Sequence, residues 1–588
     1  MTIDVFGGRR RGKFVARLAG ALGVALTLVI GSHAFAEEAD DPHFDVFSED
    51  AYPSAHQCAN CHEQIFEEWR SSSHAYASIS PMFHKFEQAI NSLAPTISSF
   101  CVRCHATVGT QMGEPRELPL WERSQVAREG ITCITCHRVS ETYLRVDGER
   151  HVVPGDIFEP VYGPYEGDGL AAVVKDASAY RVATNESERG SRIHTTAIKF
   201  APLSKSEFCV GCHQVAVNLG IKLEVVWEQY RDSPAFRDGV TCQNCHMSDI
   251  PGVAVDRSRG PSAVVNGEEI NPDRPHSNHG FVGPGYPIAH PGIFPHNAEA
   301  AENWTIEEWL EFDYRSSWGE IDYEDAVEEG EIDAEFPDTW EDRFDREEAR
   351  EIIEVQLEKI NEKRELRRQV MENGSHLDGP FLDGAPAVGR SLKFAYKVTN
   401  TNPGHNFPSG SLGAQPEIWL NVALINPDGN NVWESGYVDS NGDMADLHSL
   451  DVAAGLIEHD DQLFNLQTKF LTTNVKGTDR EMYLPVNFDV DQLPFLRPPP
   501  QPASVINHPP FVRMEGRSLP PLSSRMARYK VPASALTKPG KYSLAVRLRS
   551  RAEPIYFMRF VGATSDMEQA MNEWMLDIHP YTVEFDVR

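Results

Sequence analysis

The stretch GITCITCH, residues 130–137, contains the pentapeptide CITCH, and this pentapeptide sets the organisation of the whole chain. The Cys-x-x-Cys-His pattern occurs five times, and the five copies use all 10 cysteines of the 588-residue sequence. They are CANCH (58–62), CVRCH (101–105), CITCH (133–137), CVGCH (209–213) and CQNCH (242–246). In c-type haem attachment, two thiols bind the porphyrin and the adjacent histidine becomes the proximal iron ligand. The pattern therefore predicts five covalently attached haem c groups.

The predicted cofactor-binding side chains are the two cysteines and the histidine of each copy. They are Cys58, Cys61, His62, Cys101, Cys104, His105, Cys133, Cys136, His137, Cys209, Cys212, His213, Cys242, Cys245 and His246. A zinc site would need paired half-sites and would not require a histidine after every second cysteine. A redox dithiol would occur once, without the histidine. The five-fold repetition of the full pattern favours haem over both alternatives.

Residues 1–36 have the three parts of a secretory signal peptide. A basic start containing Arg9 and Lys13 leads into an apolar stretch from Leu18 to Ile30, and Ala34-Phe35-Ala36 resembles a cleavage site. The apolar stretch is shorter than the roughly 20 residues that span a bilayer, so an uncleaved anchor is the less favoured alternative. Haem c is attached outside the cytoplasm, which agrees with export. We expect a periplasmic protein that is not an integral membrane protein after cleavage.

The net charge of the chain limits the classes of partner that it can bind. It carries 87 Asp and Glu against 54 Lys and Arg, a formal net charge of −33. Such a surface disfavours nucleic acid and anionic lipid, and its field can steer a basic redox protein that donates or accepts electrons. A surface that only keeps the protein soluble would look the same.

An internal repeat organises the haem region, predicted as residues 37–300. FCVRCH leads to GITCITCH, whose first cysteine is 32 positions further on, and FCVGCH leads to GVTCQNCH, whose first cysteine is 33 positions further on. Trp121-Glu122 and Trp227-Glu228 lie at matching places between them. Each copy is therefore expected to be one module that holds two haems close together, among short helices and loops.

The second axial ligands must come from histidines outside the motifs. The favoured candidates are His74, His194 and His279; His151 and His84 are also plausible, and His276 and His290 less so. For each candidate, a surface or hydrogen-bonded histidine is the alternative.

The segment CANCHEQIFEEWRSSSHAYAS (58–78) resembles the opening of the multihaem cytochrome family that includes the tetrahaem electron carrier of nitrifying bacteria. More distantly, it is similar to the hydroxylamine oxidoreductase and nitrite reductase group. The resemblance covers about residues 50–300 and implies that His74, in the stretch Trp69 to Ala75, ligates a neighbouring haem. SEFCVGCHQ (206–214) with His194, and HGFVG (279–283), also resemble distal-ligand positions of the family. The chain departs in having five motifs and in lacking Cys-x-x-Cys-Lys, which puts nitrite reductase activity in doubt.

Residues 301–380 form the next predicted unit. Residues 301–350 hold 20 Asp and Glu against four Arg, together with four tryptophans, which predicts an ordered acidic insertion rather than a solvated spacer. Residues 345–374 predict a helix that Asp345 caps, that ends in bases, and that Gly374 stops.

Residues 381–588 predict an antiparallel β-sandwich, with a proline-rich excursion at 494–522. Runs such as LKFAYKVTN (392–400) alternate apolar and polar residues between Gly/Pro/Asn turns. The loop NTNPGHNFPSG (400–410) resembles a loop in sandwich domains attached to multihaem cytochromes, which implies that His405 could reach a haem. The predicted fold is therefore multidomain: a mainly α and irregular cytochrome c domain followed by a β-sandwich.

Two functions of different classes remain open. The first is an electron carrier between redox partners, in which each iron lies between two histidines and only changes oxidation state. The second is an oxidoreductase, in which one haem keeps an open position for a small nitrogen or sulfur compound. No catalytic base is evident beside a motif, so the carrier is favoured. The sequence does not identify the donor, the acceptor or the oligomeric state.

The first prediction concerns cofactor load. The mature protein is expected to carry five covalent haems, because thioether bonds survive denaturation, and it should stain for haem after denaturing electrophoresis. Intact mass measures the number directly. Fewer than five haem additions, or bound zinc, would contradict this interpretation of the motifs.

Overall fold

The computed structural model describes residues 52–93, 99–141, 148, 150–217, 221–409, 416–467, 469–473, 481–483, 511–515 and 517–588. The predicted signal peptide (1–36) and most of the proline-rich segment lie outside these residues. A region of short helices and irregular segments is followed by antiparallel sheets, as predicted. Within the described ranges, no helix is long and apolar enough to cross a membrane.

Short helices and two-stranded sheets surround the five motifs. The helices are α1 (Ala55–Ala59), α2 (Glu63–Arg70), α3 (Ser73–Tyr76), α4 (Pro81–Leu93), α5 (Val102–His105), α6 (Thr107–Gln111), α7 (Gln125–Arg128), α8 (Cys133–His137), α9 (Asp168–Lys175), α10 (Ala177–Tyr180), α11 (Val210–His213), α12 (Val226–Arg231), α13 (Pro234–Arg237) and α14 (Cys242–His246). The paired strands are β1 (Val161–Gly163) with β4 (Ala197–Lys199), β2 (Val182–Ala183) with β3 (Ser191–Arg192), β5 (Val215–Val217) with β6 (Ile221–Glu224), β7 (Arg259–Gly260) with β10 (Arg274–Pro275), and β8 (Ala263–Val265) with β9 (Glu268–Ile270). Helices of four or five residues do not persist alone in water, because nucleating a turn costs more than so few hydrogen bonds return. The region therefore depends on interactions beyond its own secondary structure.

A serine-capped helix of four residues occurs three times in the described part of this region. Ser72 precedes α3, Ser124 precedes α7 and Ser233 precedes α13. Each serine hydroxyl accepts a hydrogen bond from the backbone N–H three residues further on, which satisfies an otherwise unpaired donor of the first helical turn. The predicted repeat contains the second and third copies. The first copy is a structural match that the cysteine spacing did not indicate.

The acidic segment folds around its own aromatic core. It contains α15 (Ala298–Asn303), α16 (Ile306–Glu311) and α17 (Ile321–Glu328), and the rings of Trp309, Phe312 and Trp340 are at most 1% exposed. Buried Arg346 pairs with buried Glu324 beneath this core. The acidic side chains therefore cover a packed interior.

The long helix α18 runs over Arg343–Asn373 and leads into the sheets. Its N-cap is Asp342, whose carboxylate accepts the Phe344 N–H at 2.8 Å, so the prediction that Asp345 caps the helix is wrong by about one turn. Gly374 ends the helix as predicted, but the last turn contains no base. The bases of this helix lie further back, and three of them, Arg346, Lys363 and Arg367, are buried.

Two antiparallel sheets pack face to face in the C-terminal region. One has the order β11 (Ser375–Leu382), β12 (Leu392–Asn400), β18 (Ser524–Val531); the other has the order β14 (Asn431–Ser435), β13 (Glu417–Ile425), β19 (Gly540–Arg551), β20 (Leu576–Val587). A third, small sheet contains β15 (Lys469–Thr473), β16 (Glu481–Tyr483) and β17 (Phe511–Glu515). Alternate residues of β12 are buried, and they form one core with the inner faces of β13 and β19. The alternation in the sequence thus predicted this layer correctly.

Three short α-helices lie in the described part of the C-terminal region. They are α19 (Leu450–Ala453), α20 (Ile555–Phe560) and α21 (Ser565–Glu573). Phe557 and Met558 of α20 share an apolar cluster with Met82 of α4, and the rings of Phe86 and Phe557 are 5.8 Å apart. The sandwich therefore packs directly against a helix of the motif region.

One buried ion pair lies inside the sandwich. Arg551 donates to Glu417 at 3.0 Å from Nε, and both side chains are at most 1% exposed. Asn572 accepts a further hydrogen bond from Arg551 at 2.7 Å. Removing one partner would leave the other as an uncompensated buried charge.

We expect Arg551→Met to lower the free energy of unfolding by about 3–5 kcal/mol, because Glu417 would remain charged and buried. The double variant Arg551→Met/Glu417→Gln should recover part of this loss. Lys541→Met, which breaks the exposed pair with Glu584, is the control and should have no measurable effect. Urea unfolding followed by circular dichroism measures all three. Equal losses for Arg551→Met and Lys541→Met would contradict the burial argument.

Candidate functional site

The thiols of different motifs lie beside one another. All ten cysteines are described, and none forms a disulfide. Cys58 contacts Cys133, Cys104 contacts Cys212, and Cys209 contacts Cys242. The first motif therefore neighbours the third, and the fourth motif neighbours both the second and the fifth. Groups attached at these sulfurs would lie edge to edge.

Four of the five motif histidines face a histidine from elsewhere in the chain. The ring centres are 6.3 Å apart for His62 and His194, 6.3 Å for His74 and His213, 6.4 Å for His137 and His279, and 6.2 Å for His246 and His405. Each pair joins one motif histidine to one histidine outside the motifs. These four partners are among the candidates that the sequence indicated.

The recurring separation has a simple chemical interpretation. A metal–imidazole bond is about 2 Å long, so one metal ion between two imidazoles sets their ring centres roughly 6 Å apart. All four pairs fall within 0.2 Å of one another. Within the described ranges, no three His, Cys, Asp or Glu side chains converge as a direct metal site. Each pair can therefore hold one metal ion axially, with the remaining ligands supplied by a bound group.

Backbone carbonyls orient the rings. The Nδ1 atoms of His62 and His137 lie 2.9 Å and 2.8 Å from the carbonyl oxygens of Ser262 and Tyr162. A carbonyl only accepts, so Nδ1 carries the proton and Nε2 keeps its lone pair for a metal. The same arrangement holds for His105 with Ala77 at 3.1 Å, His279 with Ser277 at 2.7 Å, and His405 with Asn406 at 3.0 Å. These bonds fix both the tautomer and the direction of each ring.

Burial keeps the imidazoles neutral, as a metal ligand must be. Desolvation lowers the pKa of His74 to about 3 and the pKa values of His194, His246 and His279 to about 4. Burial is also the first cause of the lowered pKa values of His62, His105, His137, His213 and His405. The neighbouring imidazole of the pair adds to this effect on His74 and on His194.

The stretch before the third motif holds His74 in place. The backbone N–H of Ile131 donates to the His74 carbonyl at 3.0 Å, and Trp69 donates through Nε1 to the Ile131 carbonyl at 2.8 Å. Gly130 has φ +65°, and a Cβ there would lie 2.5 Å from the His74 oxygen. A residue with a side chain at this position would therefore displace the turn that carries His74.

His105 differs from the other motif histidines. In the part of the chain that the structure describes, no histidine ring faces it at the distance seen in the four pairs. The ring of Phe83, from α4, stacks on it with centres 4.3 Å apart and an interplanar angle of 6°. His84 is next to Phe83, but its Nε2 lies 2.8 Å from the Ser78 carbonyl, so that nitrogen is already engaged. The second motif thus has a proximal candidate and no described histidine opposite.

The remaining candidate histidines are not brought to a motif. His151 is exposed and forms no described ring pair with a motif histidine. His276 lies 2.6 Å from a Glu68 carboxylate oxygen, and this hydrogen bond raises its pKa. His290 donates through Nε2 to the Phe312 carbonyl at 3.2 Å. The last two are occupied by hydrogen bonds within the fold.

Sequence reasoning missed two kinds of residue near the site. Phe83 could not be distinguished from an ordinary core aromatic. Lys363 and Arg367 are buried and face the loop that carries His279. Their spacing of four residues on one helix was the available signal, but the same spacing occurs on solvated helix faces.

The free thiols, the available Nε2 atoms and the gaps between the rings all fit haem c. These are the features that a multihaem c-type cytochrome requires. The family model described as cytochrome c554 and c-prime matches residues 57–138, which include the first three motifs. No curated protein sequence matches the chain.

A solved structure is also similar to this chain. It is a penta-heme cytochrome c552 from Thermochromatium tepidum, with 14% sequence identity and a TM-score of 0.48. The match covers 91% of this chain and 99% of that one.

Proposed function

We propose that this protein is a pentahaem electron carrier, in which four of the five haem irons lie between two histidines. The four ring pairs at 6.2–6.4 Å carry this proposal. An iron with six ligands cannot bind a substrate and can only change its oxidation state. Rigid, neutral imidazoles hold such an iron in one geometry in both states. The arrangement therefore suits electron transfer better than chemistry on a bound molecule.

The contacts between motifs support a continuous path. Cys58 of the first motif contacts Cys133 of the third. Burial raises the pKa of Cys136 in the third motif, and the charge of Cys212 in the fourth motif also raises it, so these two motifs are also neighbours. The fourth motif contacts the second through Cys104 and the fifth through Cys242. The fourth haem would then be the branch point of the network. Electrons could enter and leave at the first, second or fifth haem.

The β-sandwich contributes to this path through His405. Three hydrogen bonds attach the loop that carries His405 to the segment that precedes the fifth motif. Ala235 N–H donates to Pro403 O at 3.1 Å, Asn406 N–H donates to Gln229 Oε1 at 3.2 Å, and Ser409 Oγ donates to the same Gln229 oxygen at 2.7 Å. A ligand held in this way would fix the sandwich rigidly to the haem region. The C-terminal domain would therefore be part of the redox unit.

Location and partners follow from composition and from the chemistry of haem attachment. The signal-like segment 1–36 supports export, so the periplasm is the proposed location. The net charge of −33 favours basic redox proteins as donor and acceptor. Nucleic acid is disfavoured by the same charge.

Replacing one distal histidine tests the carrier proposal. His74→Ala, His194→Ala, His279→Ala and His405→Ala should each convert one haem to high spin and leave the others unchanged, because each removes a single axial ligand. Paramagnetic resonance of the oxidised protein measures this change. His151→Ala is the control and should leave the spectrum unchanged. An unchanged spectrum for His194→Ala or His405→Ala would refute the ligand role of that residue.

A second candidate function rests on His105. Because no described histidine faces it, the second haem could keep an open axial position, as an oxidoreductase acting on a small nitrogen or sulfur compound requires. Phe83 against His105 and the packing of α4 on α20 would keep the proximal side rigid. The open position would then be at one end of the haem network, beside the fourth motif.

Binding of small ligands by the reduced protein separates the two functions. If the second haem is open, the protein should bind one carbon monoxide per molecule, and nitrite, hydroxylamine or sulfite should perturb the same absorbance band. His74→Ala is the positive control, since it adds one more open iron and should bind one more carbon monoxide. A spectrum that none of the four ligands changes would eliminate the second candidate and leave the carrier.

A further inference from the structure

One loop is shared by three of the ring pairs. His279 begins this loop and faces His137, and the ring of Phe281 is 4.3 Å from that of His74. The Val282 carbonyl accepts a hydrogen bond from His246. Residues 279–286 therefore contact the candidate ligands of the third, fourth and fifth motifs.

The loop backbone is held in an unfavourable conformation. Phe281 and Tyr286 have φ values of +42° and +48°, although neither is glycine. Such backbone angles are unfavourable for residues with a side chain and persist only where surrounding contacts determine them. The Tyr286 hydroxyl donates to the Ser71 carbonyl at 2.6 Å, and two basic side chains of α18 contact the loop from the other side.

These two bases are Lys363 and Arg367. Lys363 Nζ donates to the Gly280 carbonyl at 3.2 Å and lies 5.5 Å from the centre of the Tyr286 ring. Arg367 Nε donates to the Pro284 carbonyl at 2.8 Å. The two side chains are 2% and 1% exposed, and the Nη1 atom of Arg367 is buried without a partner.

The charges of this pair are not balanced by the described residues. Lys363 and Arg367 are close enough to repel each other, and no described carboxylate forms an ion pair with either. Burying an uncompensated charge costs several kcal/mol, so such cations are normally paired with anions. Glu362 is the described carboxylate whose charge acts on Lys363, but it is exposed and forms its ion pair with Lys359. The missing anion is therefore one that the polypeptide does not supply.

We propose that Lys363 and Arg367 are the counter-charges of haem propionates, and that they act on the haem held between His74 and His213. This inference rests on the proposed function, since it requires haem at the fourth motif. Lys363 donates to the Gly280 carbonyl, and the ring of Phe281, the next residue, contacts that of His74. Haem carries two propionates, and a guanidinium and an ammonium side by side present donors for both.

The pair would set the potential of the branch point. A cation beside a propionate cancels part of its negative charge, which favours the reduced state of the iron. Because the fourth motif contacts the second, third and fifth, a raised potential there would draw electrons from all three neighbours. Lys363 and Arg367 are therefore positioning and tuning residues, since they do not touch the iron.

Neutralising Lys363 tests the proposal. In Lys363→Gln, the amide can still donate to the Gly280 carbonyl, but the charge is lost. We expect at least a tenfold shift of one haem toward the oxidised state, a fall of 59 mV or more in its one-electron potential. Lys363→Arg keeps the charge and should retain the native potential. Spectroelectrochemical titration of the purified holoprotein measures both.

The matched control is Lys359→Gln, the same substitution one turn earlier on α18. Lys359 is partly exposed and pairs with Glu67 and Glu362, so its loss should leave every potential unchanged. In a His74→Ala background, the affected haem is marked by its high-spin spectrum, and Lys363→Gln should lower the potential of that component.

Three outcomes decide the question. A potential that falls in Lys363→Gln and not in Lys363→Arg or Lys359→Gln supports the proposal. Haem loss in Lys363→Gln alone also supports it, because only the charge differs from Lys363→Arg. Unchanged potentials, or equal haem loss in both Lys363 variants, would overturn it. Haem number and low-spin content of the unmodified protein report separately on the proposed function.

Discussion

One geometric feature organises the motif region: four of the five motif imidazoles face a second imidazole across a gap about the width of one coordinated metal ion. The four pairs agree in separation to within 0.2 Å, although their members come from distant parts of the chain. The local structure is too weak to enforce such agreement, because the motif helices α5, α8, α11 and α14 have only four or five residues. The apolar clusters of this region are small, and the largest core is in the sandwich. The haems would therefore serve as the missing core, and covalent attachment would make this core permanent.

The same pairing explains why the sandwich and the long helix are not separate appendages. His405 lies on a sandwich loop, and this loop forms hydrogen bonds with Gln229 and Ala235 in the motif region. The helix α18 connects the two regions and directs Lys363 toward the loop that carries His279. Both elements reach the haem region with groups that it lacks, a fifth-motif ligand in one case and buried positive charge in the other. The proposed coordination and charge compensation would thus draw on the motif region, α18 and the sandwich together.

Sequence alone identified the parts whose chemistry is complete within a few residues. The pentapeptides contain thiols and histidine together, and the alternation of LKFAYKVTN defines a strand without reference to its neighbours. The four histidines that form pairs were among the candidates, but their pairing was not predictable, because His74 lies beside the first motif in sequence and faces His213 of the fourth. Lys363 and Arg367 are two of several bases in the helix predicted over residues 345–374, and nothing in the sequence assigns either of them a separate role. Only their burial distinguishes them from Arg364 and Arg368, which have solvent-exposed or partly exposed positions on the same helix.

The three serine-capped turns show how duplication produced different ligand sources from one backbone. The second residue after the capping serine is His74 in the first copy, Val126 in the second and Ala235 in the third. His74 faces His213, whereas Val126 packs into an apolar cluster and supplies no ligand. Ala235 is small enough for the sandwich loop to approach, and its N–H donates to Pro403 two residues before His405. A histidine at this place in the third copy would collide with that loop. The repeated turn thus carries a candidate ligand in its first copy, whereas in the third copy the sandwich loop with His405 approaches the corresponding position.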